Sequence, residues 1–131
     1  MLVFLIRHAH ADVGEPDETR PLSARGLAEA RAVAETLSRH GEPPVLVLTS
    51  PLLRARQTAE EIAHATSAKL RVETSLGPGT TLDALRATIG DETRAVAAVC
   101  HQPDCSRMTR SVTGSDPGFP PGGMAELRLE P

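Results

Sequence analysis

The chain opens on an unbroken apolar run, Leu2-Val3-Phe4-Leu5-Ile6, that stops at Arg7-His8. A run this short with no polar break fits a strand buried on both faces. Val45-Leu46-Val47-Leu48 and Ala95-Val96-Ala97-Ala98-Val99-Cys100 repeat the pattern. Leu70-Arg71-Val72-Glu73 alternates and predicts a short strand. Residues 124–130 alternate strictly, with Ala125, Leu127 and Leu129 on one side, as an outer strand with one face on the core would.

Helical spacing fills the intervals. After Ser23, a good N-cap, Leu27, Ala30, Val33, Ala34 and Leu37 fall on one stripe, and Gly41 and Pro43-Pro44 end the helix. Ser50-Pro51 predicts a second helix, with Ser50 as cap and proline at the first position. Leu53, Ile62 and Ala63 would face inward there, with Arg56 and Glu60 paired four apart outside. Thr80 or Thr81 opens a third helix through Leu82, Leu85 and Ile89, closed by Gly90. Pro103 begins a fourth that Gly114 ends, and residues 114–123 are a loop by composition. Alternating buried strands and helices predict a single α/β domain over residues 1–131. It would be a three-layer sandwich with a largely parallel central sheet and helices on both faces. No repeat, linker or low-complexity segment interrupts it.

Composition narrows the function. With two Phe and neither Trp nor Tyr, the core is built from Ala, Val, Leu and Ile, and a base-stacking surface is not expected. A net charge of −3 gives no general attraction to nucleic acid or anionic membranes, so any anion site must be local. The apolar run before Arg7 is too short for a signal peptide's apolar region or a membrane span. Cys100 and Cys105 form no disulfide framework and suit a cytoplasmic chain with reduced thiols. Cys100-His101 with Cys105 lacks a second ligand pair, so neither a metal nor a cofactor is expected.

The polar residues fall where parallel sheets hold their ligands, beyond the carboxyl ends of strands. One strand ends in Arg7-His8. Another ends in Thr49-Ser50-Pro51, with Arg54 a helical turn later, and a third ends in His101-Gln102-Pro103. If these strands are neighbours, two arginines and two histidines share one crevice with two helix amino termini, an anion site. Guanidinium forks grip two phosphoryl oxygens at once. A neutral imidazole can attack phosphorus, provided that an acceptor holds its other nitrogen.

Three motifs then carry a family resemblance. Leu5-Ile6-Arg7-His8-Ala9 resembles the R-H-G signature of the histidine phosphatase superfamily. The stretch from Ser50-Pro51 through Arg54-Ala55 to Gln57-Thr58-Ala59 resembles its S-P-x-x-R-A-x-Q-T-A segment. Val99-Cys100-His101-Gln102-Pro103 resembles its second histidine motif. The small size and Arg20-Pro21-Leu22-Ser23-x-x-Gly26 are most similar to SixA-type phosphohistidine phosphatases.

The resemblance implies a phosphoglycerate mutase-like fold. Residues 66–80 leave no room for the lid that larger members insert. It also implies that His8 accepts the phosphoryl group and that Arg7, Arg54 and His101 hold its oxygens. Arg20 and Gln102 would contact substrate. The chain departs from the family pattern at Ala9, where glycine is usual, and at His10, where an acid is common. Residues 76–79 lack the carboxylate that often supplies the leaving-group proton, which leaves His10 and Asp12 as proton-donor candidates, with Asp83 behind them. The expected activity is removal of phosphate from phosphohistidine on a signalling protein, without metal. Hydrolysis of small phosphate esters or nucleotides is the alternative, and phosphate binding without turnover is a second.

Overall fold

Side-chain alternation along β1 (Leu2–Arg7) explains its unbroken apolar run. Leu2, Phe4 and Ile6 enter one core and Val3 and Leu5 the other, so no position faces water. The structure, a computed structural model, describes residues 1–130. The remaining elements are α1 (Ala24–Ser38), β2 (Leu46–Thr49), α2 (Leu53–Thr66), β3 (Lys69–Val72), α3 (Leu82–Ile89), β4 (Val96–Cys100), α4 (Asp104–Thr113) and β5 (Met124–Arg128). Single 3₁₀ turns occupy Asp17–Thr19 and Thr74–Leu76.

The five strands lie in the order β3-β2-β4-β1-β5. All pairings are parallel except that of β5 with β1. Helices cover both faces, as the pattern predicts. Val33, Ala34 and Leu37 of α1 and Ala55, Ala59 and Ile62 of α2 pack on Phe4, Ile6, Val47 and Val99. Leu85 and Ile89 of α3 and Cys105 and Met108 of α4 pack on the other face with Leu5, Leu48, Ala98 and Leu127. Each fully buried Leu, Ile or Phe contributes about 1.5–3 kcal/mol of transfer free energy. That is how a core nearly free of aromatics holds.

The caps at Ser23 and Thr81 are confirmed, since their hydroxyls accept from Gly26 N and Ala84 N. Two helix starts differ. Helix α2 starts at Leu53 with Leu52 as its cap, because the chain bends at Ser50-Pro51 and the Ser50 hydroxyl is used elsewhere. Arg54, Ala55, Thr58, Ala59 and Ile62 therefore form its buried stripe, and Leu53 is only half-buried. Helix α4 starts at Asp104, with Pro103 at the cap position. Strand β3 is an exposed edge. Only Ser67 and Ala68 separate it from α2, so no lid lies between them.

Candidate active site

Register places the site. Strand β4 lies between β1 and β2, with Arg7 opposite Cys100 and Thr49 opposite Val99. The ladder continues one bond further on each side: His8 N donates to Cys100 O at 3.1 Å and Ser50 N donates to Val99 O at 3.1 Å. Three strand ends therefore finish side by side, and His8, Ser50 and His101 leave the sheet together. The rings of His8 and His101 are 5.0 Å apart, centroid to centroid.

His8 Nδ1 lies 2.8 Å from Ala9 O. A carbonyl only accepts, so Nδ1 carries the proton and the Nε2 lone pair is free. Burial lowers the His8 pKa to about 4; the bond to Ala9 opposes this, and the charges of Arg54, Arg7 and Arg20 add to the lowering. The His101 pKa is also lowered to about 4, by burial first and then by His8 and Arg54. Near neutral pH both rings are uncharged. His101 Nε2 and Ser50 Oγ share a hydrogen bond of 2.7 Å, and Leu52 N donates to the same hydroxyl at 3.2 Å.

Arg7 Nη1 donates to Phe119 O at 2.9 Å, which anchors the guanidinium, while its Nε is buried without a protein partner. Arg54 is buried in the first turn of α2 and reaches the 3₁₀ turn. Its Nη1 donates to Asp17 O at 3.0 Å and its Nη2 to Asp17 Oδ2 at 3.2 Å. Arg20 donates from Nη1 to Asp17 Oδ1 at 3.0 Å and from Nε to Asp12 O at 2.8 Å. The Asp17 carboxyl, held by Arg20 and then Arg54, titrates below the usual carboxylate range. Three fixed cations and two neutral imidazoles can together hold a tetrahedral oxyanion, with His8 Nε2 as an available nucleophile.

Of the other predicted site residues, His10 and Gln102 have side-chain partners of their own. His10 Nδ1 shares a 2.7 Å hydrogen bond with Ser23 Oγ at the start of α1, and its main-chain N donates to Glu29 Oε1. Asp12 is exposed and serves Arg20 through its carbonyl. Asp83 lies exposed in the first turn of α3. Gln102 closes the start of α4, donating to Ser106 Oγ and accepting from Ser106 N. Ala9 is fully buried and its φ is negative, so the alanine costs no backbone strain. Among the described residues no group of three or more His, Cys, Asp or Glu could hold a metal ion.

The sequence pattern assigns no role to Gln57, Thr58 or Asp17. Thr58 Oγ1 accepts from Ala9 N at 3.0 Å and donates to Arg54 O at 2.8 Å. Gln57 Oε1 accepts from Leu22 N at 2.8 Å. The helix that presents Arg54 thus also braces the loop after His8. The signal was their place one turn beyond Arg54 on the same helix. For Asp17 it was a carboxylate three residues before Arg20.

A mostly parallel sheet of this strand order, with cations and imidazoles at three adjacent strand ends and no lid, defines a phosphoglycerate mutase-like domain. Comparison with known proteins gives its lineage: residues 3–77 match the histidine phosphatase superfamily (branch 1), and the chain belongs to that family. A protein of Picosynechococcus sp. is 35% identical, over 98% of this chain and 85% of its own length. Phosphohistidine phosphatase SixA of Escherichia coli is 41% identical over 63 residues, 47% of this chain and 39% of that protein. The structure of the protein histidine phosphatase SixA complexed with tungstate superposes with a TM-score of 0.87 at 27% identity, covering 99% of this chain and 89% of that one. A putative phosphohistidine phosphatase SixA from Agrobacterium tumefaciens gives 0.84 at 27% identity, over 95% and 88%.

Proposed function

We propose that this chain is a cytoplasmic, metal-independent phosphohistidine phosphatase acting on phosphohistidine carried by another protein. The observation that carries the reading is the His8 ring, with its proton held on Nδ1 by Ala9 O and its Nε2 free beside Arg7, Arg54 and His101. In the first step His8 Nε2 bonds to phosphorus as the P–N bond to the substrate imidazole breaks, and the leaving nitrogen takes up a proton from solvent, which the attacking water of the second step gives back. In the second step water attacks the phosphorus of phospho-His8, returning the imidazole and releasing inorganic phosphate. Two smaller barriers replace one larger one.

Arg7 and Arg54 carry the charge of the equatorial oxygens. His101 is neutral in the free site; an arriving dianion favours its protonated form and turns it into a further charged donor. An imidazole leaves phosphorus more readily once protonated than an alkoxide does. This supports a phosphoramidate substrate for a site in which His10 Nδ1 is engaged by Ser23, the Asp17 carboxylate is held by Arg20 and Arg54, and Asp12 lies exposed on the loop. The short α2–β3 connection inserts no covering segment there, which suits a histidine on a folded partner.

The test is relative turnover of a phosphohistidine-bearing protein and an unactivated alkyl phosphate, with and without a chelator. The reading predicts at least a hundredfold preference for phosphohistidine, unchanged by the chelator. Comparable rates on both would point to small phosphate esters instead. Tight phosphate binding without release would make the chain a binding module.

A further inference from the structure

The 3₁₀ turn Asp17–Thr19 packs against the first turn of α2, and Asp17 is what joins them. Arg54 gives it two hydrogen bonds, one to the main-chain oxygen and one to Oδ2, and Arg20 gives a third to Oδ1. Arg20 is itself fixed to Asp12 O through Nε. A guanidinium carries five N–H donors in one rigid plane. Residue 17 uses one hydrogen on each terminal nitrogen of Arg54, which fixes the plane and leaves three donors for another anion. We infer that Asp17 is a positioning residue of the phosphoryl site, which locks Arg54 and Arg20 in the geometry that receives the oxyanion. This rests on the phosphatase reading above.

Two effects of the carboxylate oppose each other. Its charge repels an arriving phosphoryl group, whereas its hydrogen bonds remove rotamer freedom that a loose arginine would surrender on binding. The Asp17 side chain is 55% exposed, so water and salt screen the repulsion. Misplacing a group that must meet the transition state costs up to about a hundredfold. Positioning therefore outweighs repulsion, and losing the carboxylate weakens oxyanion binding.

The experiment measures vanadate inhibition of the full chain. Asp17→Asn and Asp17→Ala should each weaken vanadate roughly tenfold. Asp17→Glu, which keeps the acceptor pair on a longer stem, should lose less. Because Asp17 acts through Arg54 and Arg20, Asp17→Asn should lose clearly less affinity in an Arg54→Ala background, where only the Arg20 bond remains to be broken, and less than twofold once Arg20→Ala is added, a non-additive cycle. Melting temperatures of the Asp17 variants should fall by no more than a few degrees, the scale of a half-exposed ion pair.

Unchanged or tighter vanadate binding in Asp17→Asn overturns the inference, and tighter binding would make Asp17 a competitor of the substrate. An undiminished tenfold loss in the Arg54→Ala background overturns it too, as does a melting temperature that falls in step with affinity. A wild-type protein that neither binds vanadate nor hydrolyses phosphohistidine overturns the phosphatase reading itself, and this inference with it.

Discussion

The Ala9 carbonyl decides which nitrogen of His8 can act. It accepts at 2.8 Å from Nδ1, so the ring is held in one tautomer with Nε2 free. Burial and three nearby arginines then keep that ring neutral, with a pKa lowered to about 4. On the proposed mechanism, above about pH 4 the His8 ring is unprotonated and can attack, so activity should fall as pH falls through that value. A free histidine would lose it near 6.5. An NMR titration of the His8 ring, assigned with His8→Ala, should give a midpoint near 4. A midpoint at or above 6 would mean that the ring is solvated and its surroundings are misassigned. This part of the site was legible in the sequence, because Arg7, His8 and His101 are conspicuous at strand ends and Arg54 follows another strand end by one helical turn. Asp17 was not. A carboxylate in a polar loop has no periodicity to mark it, and its role exists only once α2 lies beside the 3₁₀ turn.

At the scale of elements, α2 does more than carry Arg54. Its next turn holds Gln57 against Leu22 N and Thr58 against Ala9 N, so the helix fixes both the arginine and the loop that presents the histidine. Helix α1 meets that loop from the other side. Gly26 is buried in its first turn, and a Cβ there would stand 1.9 Å from His10 O. The clash is with main chain, which cannot swing away. Gly26→Ala should therefore destabilise the fold by about 2–3 kcal/mol and displace residues 9–11, measurable by chemical denaturation together with activity. A variant within about 0.5 kcal/mol of wild type, near the range of neutral surface substitutions, would contradict the packing described. Apolar spacing made the helices readable, and the caps at Ser23 and Thr81 were readable from local chemistry. The start of α2 was not, because Ser50 looks like a cap in sequence but spends its hydroxyl on His101 across the sheet.

The whole molecule follows from placing β4 between β1 and β2. Sequence alone yields strands, helices and their faces, but not the order β3-β2-β4-β1-β5, since nothing local records which strand lies beside which. The convergence was inferred on the condition that the three strands be neighbours, and the sheet meets it. With Arg7 opposite Cys100 and Thr49 opposite Val99, groups separated by more than ninety residues emerge within one ring-to-ring contact. Among the described residues no helix is long and apolar enough to cross a membrane. The site also has no covering insertion between α2 and β3. The central claim is that His8 takes the phosphoryl group covalently. Its most direct test is rapid acid-free quenching of the protein with a radiolabelled phosphohistidine substrate, followed by peptide mapping. The account predicts an alkali-stable, acid-labile label on His8, absent from His8→Ala. Label on another residue, or full turnover by His8→Ala, would contradict it.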